Sequence, residues 1–226
     1  MTNKNDQDED ISVELANYTA PTLNAALMIR RRLDQENIKG FDNDKFKKNN
    51  PGRRKLDIGC GIVSDSGWIR LDCDKKYKPD LLMDAQNLLL SDNTIHEARM
   101  NYVLGYAVDP CKVLSEVWRV LVPNGLLHLV NGAPASDIQL MPGVKHSFPK
   151  EFWKDVTKTN PTFYIPKGEK GMWEMIEEKY DWSPTASRLA SKLKLEREIV
   201  ISTFRNVASN QFITLKKIKG KEKIKL

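Results

Sequence analysis

The chain has 226 residues, a length that suits one domain built on a sheet of about six or seven strands with helices on both faces. Its formal charge of +6 permits an anionic partner without requiring one, because the excess lies partly in a lysine-rich tail after Leu215. No apolar run approaches the ~18 residues of a membrane span, and Cys60, Cys73 and Cys111 show neither metal-ligand spacing nor a disulfide framework, so free thiols in a reducing, cytoplasmic compartment are expected.

In chain order, the acidic start Met1–Asp10 has no apolar h-region and is not a secretory signal. Residues 1–20 are expected to be flexible. From Pro21, a partial 3.6-residue period through Leu23, Ala26, Leu27 and Leu33 predicts a helix. Its Arg30-Arg31-Arg32 end suits the negative pole of a helix dipole. That cluster reads as a charged outer face or as an anion grip. Residues 37–53, with Gly40 and Pro51-Gly52, read as a linker loop. The main domain is expected over 54–218, followed by a basic tail at 219–226.

Lys55–Ile58 is a short apolar strand that breaks at Gly59-Cys60-Gly61. Glycine lets a backbone turn sharply and approach a ligand that a Cβ would push away. The next strand, Trp68–Leu71, stops on Asp72, with Asp74 two residues on. An acid in that place can accept from both hydroxyls of a ribose. Too few residues separate the two strands for a full crossover helix, so a very short helix or a tight turn is expected. Lys78–Met83 predicts a third strand that ends on Asp84-Ala85, and Thr94–Tyr102 a fourth.

Asp109-Pro110 reads as a helix start, an N-cap followed by the proline-tolerant first position. Val113, Leu114, Val117, Val120 and Leu121 form its apolar stripe, and Pro123-Asn-Gly125 ends it. Leu126–Val130 is the fifth strand. Ser147–Val156, Met172–Tyr180 and Thr185–Leu195 are helix candidates within an insertion at about 134–197. Glu198–Phe204 and Gln211–Lys216 read as a closing hairpin.

The run from Arg54 to Asp72 resembles the first motif of class I S-adenosylmethionine-dependent methyltransferases. It is most similar to the type 11-like branch, in which Gly-Cys-Gly is followed closely by Gly-Trp and a strand ending in Asp. Arg119-Val-Leu-Val-Pro-Asn-Gly125 resembles that family's Arg-Val-Leu-Lys-Pro-Gly-Gly segment. The resemblance implies a Rossmann-like, doubly wound α/β fold with a mostly parallel seven-stranded sheet closed by a C-terminal antiparallel hairpin. It also implies S-adenosyl-L-methionine as cofactor. Asp57, Gly59, Cys60 and Gly61 would meet its amino-acid end, Asp72 its ribose, and Asp84 with Ala85 its adenine; Asn101 is expected to border the same site.

Asn101-Tyr-Val-Leu-Gly-Tyr106 stands where relatives carry a Ser-His-Val-Leu-Glu-His-like run, so Gly105-Tyr106 replaces Glu-His. Val63 replaces the motif's third glycine. A phenol is a much weaker base than imidazole near neutral pH, but alignment of donor and acceptor can supply most of the rate. Tyr106 and His146, in the loop after the fifth strand, are the catalytic candidates; His96 and His128 read as structural. Trp153, Phe163, Tyr164 and Trp173 are either core of the insertion or an aromatic wall for an acceptor.

The reading is methyl transfer to a small-molecule or sugar-like acceptor, with no metal and no membrane partner. Three alternatives stay open. A nicotinamide dehydrogenase shares Gly59-x-Gly61, but the third position of its fingerprint is Ser64. A non-catalytic module would keep the fold and cofactor. A nucleic-acid methyltransferase would differ only in acceptor, but no Asn/Asp-Pro-Pro-Tyr/Phe run of the kind that grips a flipped base is present.

Overall fold

Seven strands hydrogen-bond into one sheet in the computed structural model, which describes residues 42–52, 54–62, 65–157, 171–194, 196, 199–201 and 206–219. The chain divides into two units, Met1–Phe41 and Asp42–Leu226. The first unit, with the expected N-terminal helix and its arginines, lies outside the described residues. So do Val63, Phe163, Tyr164 and residues 220–226 of the tail.

Within the expected linker, Asn43–Asn49 forms a helix, α1. The sequence shows few apolar residues there, which concealed it. Local capping sustains it: the Asp42 carboxylate accepts from the Lys45 amide at 2.8 Å, and Phe46 supplies the buried contact.

The parallel part of the sheet comprises β1 (Lys55–Ile58), β2 (Ile69–Asp72), β3 (Leu81–Leu82), β4 (Ile95–Asn101) and β5 (Leu121–Gly132). The order across the sheet is β3-β2-β1-β4-β5, so the chain reverses its winding between β1 and β4. Such a switch point opens a crevice beyond the carboxyl ends of the strands. No helix joins β1 to β2 among the described residues, in keeping with the short spacing. Leu56, Ile58, Ala98, Met100 and Leu127 are essentially sealed from solvent and form the sheet's core.

Helix α2 (Pro110–Val120) begins as expected, with the Asp109 carboxylate accepting from the Lys112 amide at 3.0 Å. Val113, Leu114, Val117 and Val120 are buried. On its far turn, Arg119 donates to the carbonyls of Leu88 and Leu90 and pairs with Glu116, which in turn accepts from the Leu88 amide. The Arg-Val-Leu segment thereby pins the stretch that follows Asp84-Ala85.

Two expectations fail in the second half. Met172–Tyr180 is not helical: Gly171–Trp182 forms strand β6 at the sheet edge. Its Glu, Met and Lys content favours a helix, but pairing with β7 (Ala208–Lys219) overrides that preference. Register shifts between Met175 and Glu177 and between Tyr180 and Trp182 break the two-residue alternation by which a strand is read. The antiparallel closure is therefore β5-β7-β6, with β6 taking the place expected of Glu198–Phe204. Of that stretch, 199–201 is helical. The connection from β6 to β7 runs instead through a helix, α4 (Pro184–Leu193), capped by Ser183.

Helix α3 (Lys150–Val156) carries Trp153 and Val156, both fully buried. The fold is α/β with a mixed, mostly parallel seven-stranded sheet and an antiparallel C-terminal closure.

Candidate functional site

The glycine turn lies where β1 ends. Gly59 and Gly61 adopt left-handed backbone angles, φ +68° and +54°. Both the Gly59 and Cys60 amides donate to the Leu71 carbonyl, at 2.7 and 3.0 Å, which ties the turn to β2. The two glycines serve different ends. A Cβ on Gly59 would lie 2.3 Å from Cγ2 of Val103, so this glycine admits the segment after β4. A Cβ on Gly61 would meet nothing within 4 Å among the described residues, as a ligand cradle requires.

Asp72 is at the carboxyl end of β2, as expected, and 7% exposed. Its Oδ2 accepts from the Gly61 amide at 3.1 Å and its Oδ1 from the Asp74 amide at 2.9 Å. Each carboxylate oxygen has a further lone pair, so the geometry is compatible with a ribose contact. Asp74 faces its own turn, accepting from the Lys76 amide at 3.0 Å and pairing with the Lys76 ammonium at 3.0 Å. Asp84 follows β3, with Oδ1 accepting from the Gln86 amide at 2.8 Å; Ala85 lies in the turn thus fixed.

Asp57 is buried, and Arg99 donates to its Oδ2 at 2.6 Å. The two residues are register partners on β1 and β4. Arg99 also pairs with Asp65 and lies 4.5 Å from the Trp68 ring centroid. Hydrogen bonding to Asp57 is the main cause that lifts its guanidinium above the ordinary range. Sequence reasoning missed this pair, since only the strand register brings together residues 42 positions apart. Cys60 is buried in the turn, and burial is the main reason its thiol pKa is raised, which leaves it a poor nucleophile.

On the other side of Gly59, Asn101 ends β4 and is exposed. Tyr102 holds a left-handed backbone, φ +57°, uncommon for a bulky residue. Its hydroxyl bonds Oδ1 of Asn210 on β7, and burial, then the charge of Asp181, pushes its phenol pKa up. The following turn, Leu104–Tyr106, brings the two catalytic candidates together. The Gly105 carbonyl accepts from the amides of Lys145 and His146, at 2.8 and 3.2 Å, so the His146 loop is laced to the Tyr106 turn. Both side chains border a small cavity with Tyr102, Asn131, Gln139 and Phe148.

The aromatic wall is not made by the tryptophans considered above. Trp153 and Trp173 are 0% and 4% exposed and belong to the core. Trp153 Nε1 donates to Gln211 Oε1 at 3.0 Å, and Gln211 Nε2 donates to Tyr180 Oη at 2.8 Å and to Glu178 at 3.1 Å. Burial, reinforced by Glu178, pushes the Tyr180 phenol well above its ordinary range. Tyr180 and Trp182 instead line a groove of about 930 Å³, with Lys150, Lys154, Glu178 and Ile199. Their alternation was hidden by the register shifts of β6.

His96 and His128 are held within the sheet: the Arg54 amide donates to His96 Nδ1 at 3.3 Å, and His128 Nε2 is 3.2 Å from Glu97. Among the described residues no group of three or more His, Cys, Asp or Glu is placed to hold a metal ion, and no helix is long and apolar enough to cross a membrane.

No protein-family model and no curated protein matches the chain. Among solved structures it is similar to an S-adenosylmethionine-dependent methyltransferase from Archaeoglobus fulgidus, at 17% identity and TM-score 0.46 over 82% of this chain and 94% of that one. A methyltransferase of the same cofactor dependence from Mesorhizobium loti is similar at 16% identity and TM-score 0.45, over 78% of this chain and 98% of that one. The 16S rRNA methyltransferase KamB is similar at 13% identity and TM-score 0.46, over 80% and 95%. The fold assignment rests on strand order and direction, not on these likenesses.

Proposed function

We propose that this chain binds S-adenosyl-L-methionine and transfers its methyl group to a small-molecule or sugar-like acceptor. The observation that carries the reading is the Gly59–Gly61 turn: it lies at the switch point, its second glycine has no neighbour among the described residues where a Cβ would stand, and its amide is anchored by Asp72. The first-motif resemblance of residues 54–72 to the Gly-Trp branch supports the same cofactor. When bound, the cofactor supplies a methyl group activated by a sulfonium.

The protein's part is to hold and align. Asp72 would take the ribose hydroxyls, and Asp84 with Ala85 the adenine edge. Gly59, Cys60, Gly61 and Asn101 would border the remainder. Asp57 contributes through Arg99, which it holds together with Asp65 beside the turn. The acceptor would lie beyond β4 and β5, where Tyr106 and His146 meet. Alignment supplies most of the acceleration for a nucleophilic acceptor.

Isothermal titration with S-adenosylhomocysteine, with NADH in parallel, tests the reading. Heat from S-adenosylhomocysteine alone is expected. Heat from NADH alone would replace methyl transfer with hydride chemistry. Cofactor binding without turnover over a panel of sugars, phenols and RNA would make the chain a non-catalytic module.

A further inference from the structure

Asn131, on β5, is 3% exposed, and its Nδ2 has no hydrogen-bond partner among the described residues. Nε2 of His146 is likewise buried without one. Both residues line the small cavity at the carboxyl end of β5. Buried polar groups in folded proteins are nearly always paired, so two residues that carry unpaired atoms and line a single cavity point to a guest there, an ordered water or a group of a ligand. The cavity is also built rather than incidental. Gly105 ties down the His146 backbone from one side. On the other, Gln139 Nε2 donates to the Gly132 carbonyl at 2.7 Å, and a Cβ on Gly132 would lie 2.8 Å from Ile138.

We propose that this cavity is the subsite for one hydroxyl group of the methyl acceptor, an inference that rests on the acceptor reading above. Its volume, about 20 Å³, has room for one water-sized group; a phosphate or a ring does not fit. The two polar groups then choose among small groups. Asn131 Nδ2 only donates, so it requires a lone pair. His146 Nε2 accepts in the tautomer that carries the ring proton on Nδ1, which is the tautomer this proposal requires, and it then needs a proton from its guest. A hydroxyl oxygen meets both demands at once. A carboxylate brings no proton to Nε2, and an ammonium brings no lone pair to Nδ2. Tyr102 and Tyr106 also border the cavity, and at 38% and 43% exposed they offer ring surface on which the body of a phenol or a sugar can rest.

The test uses the full chain labelled with ¹⁵N-histidine, with and without S-adenosylhomocysteine. The His146 signal is assigned by its loss in His146→Gln. Phenol and methyl glucoside are titrated as hydroxyl probes, with toluene and acetate as controls. A hydroxyl probe is expected to move the Nε2 resonance while both controls leave it in place, and the probe that does so separates a phenolic from a sugar acceptor. Asn131→Leu should weaken that probe roughly tenfold, one hydrogen bond's worth, with affinity for S-adenosylhomocysteine unchanged. No shift from either hydroxyl probe, or an equal shift from acetate, overturns the subsite; this arm decides even if Asn131→Leu proves unstable. A hydroxyl shift without S-adenosylhomocysteine binding removes the cofactor reading and leaves the subsite standing. Binding of S-adenosylhomocysteine with no hydroxyl shift does the reverse.

Discussion

Gly59 and Gly61 stand two residues apart in one turn, yet substitution should separate stability from binding. Gly59→Ala places a methyl 2.3 Å from Val103 on a left-handed backbone. A loss of about 2–4 kcal/mol is expected, from overpacking and the backbone penalty together. Val103→Ala in the same chain should restore part of it, read by a double-mutant cycle in urea. Gly61→Ala meets no neighbour among the described residues, so the backbone penalty of about 1–2 kcal/mol is the cost expected. Its cost should show instead as weaker binding of S-adenosylhomocysteine, because the methyl enters the cradle. Equal affinity for the two single variants would place the cofactor elsewhere. Asp72→Ala removes the acceptor of two backbone amides, so beyond lost affinity it should cost about 2–4 kcal/mol of stability. Asp74→Ala removes a local cap, about 1 kcal/mol. If Asp74→Ala harms binding more than Asp72→Ala does, the ligand is held beyond the end of β2.

At the scale of elements, what could be read depended on whether the signal was local. The glycine turn, the Asp109-Pro110 helix start and the short strands β1 and β2 announce themselves in neighbouring residues. Strand β6 does not, because its helix-favouring composition is overruled by pairing with β7, from Trp182↔Ala208 to Gly171↔Lys219, and two register shifts scramble its alternation. The Asp57–Arg99 pair and the Asn131–His146 cavity exist only through strand register and loop closure. Helix α3 gives a case that can be measured. Trp153 is sealed from solvent and satisfies Gln211, whose other end holds Tyr180 and Glu178. Trp153→Ala should therefore cost about 3–5 kcal/mol. Trp153→Phe keeps most of the volume but leaves the Gln211 oxygen unpaired, at about 1–3 kcal/mol. Urea titration of both distinguishes core from acceptor wall: a Trp153→Ala variant of wild-type stability would return this side chain to the ligand.

For the whole molecule, cofactor binding and folding are linked, because the groups proposed to hold the cofactor come from β1, β2, the turn after β3 and the end of β4, and converge only when the sheet is closed. An unfolded chain presents no such site. S-adenosylhomocysteine at about 100 times its dissociation constant should then add ~2.7 kcal/mol to unfolding. In a domain of this size that corresponds to a rise in Tm of about 5–10 °C. The gain should grow logarithmically with ligand concentration and vanish in a Gly61→Val variant that is folded in the absence of ligand. It should be absent with NADH. The same scan bears on the +6 charge. RNA held by lysines would also stabilise the chain, but that gain must fall steeply with salt as the entropy gained by releasing counterions shrinks. The cofactor's contacts, assigned to Asp72, Asp84 and the backbone at Ala85 and not to lysines, should keep most of theirs between low and physiological ionic strength. A stabilisation by S-adenosylhomocysteine that collapses with salt as an RNA effect does would mean that the ligand rests on exposed lysines, and that the glycine turn has been misassigned.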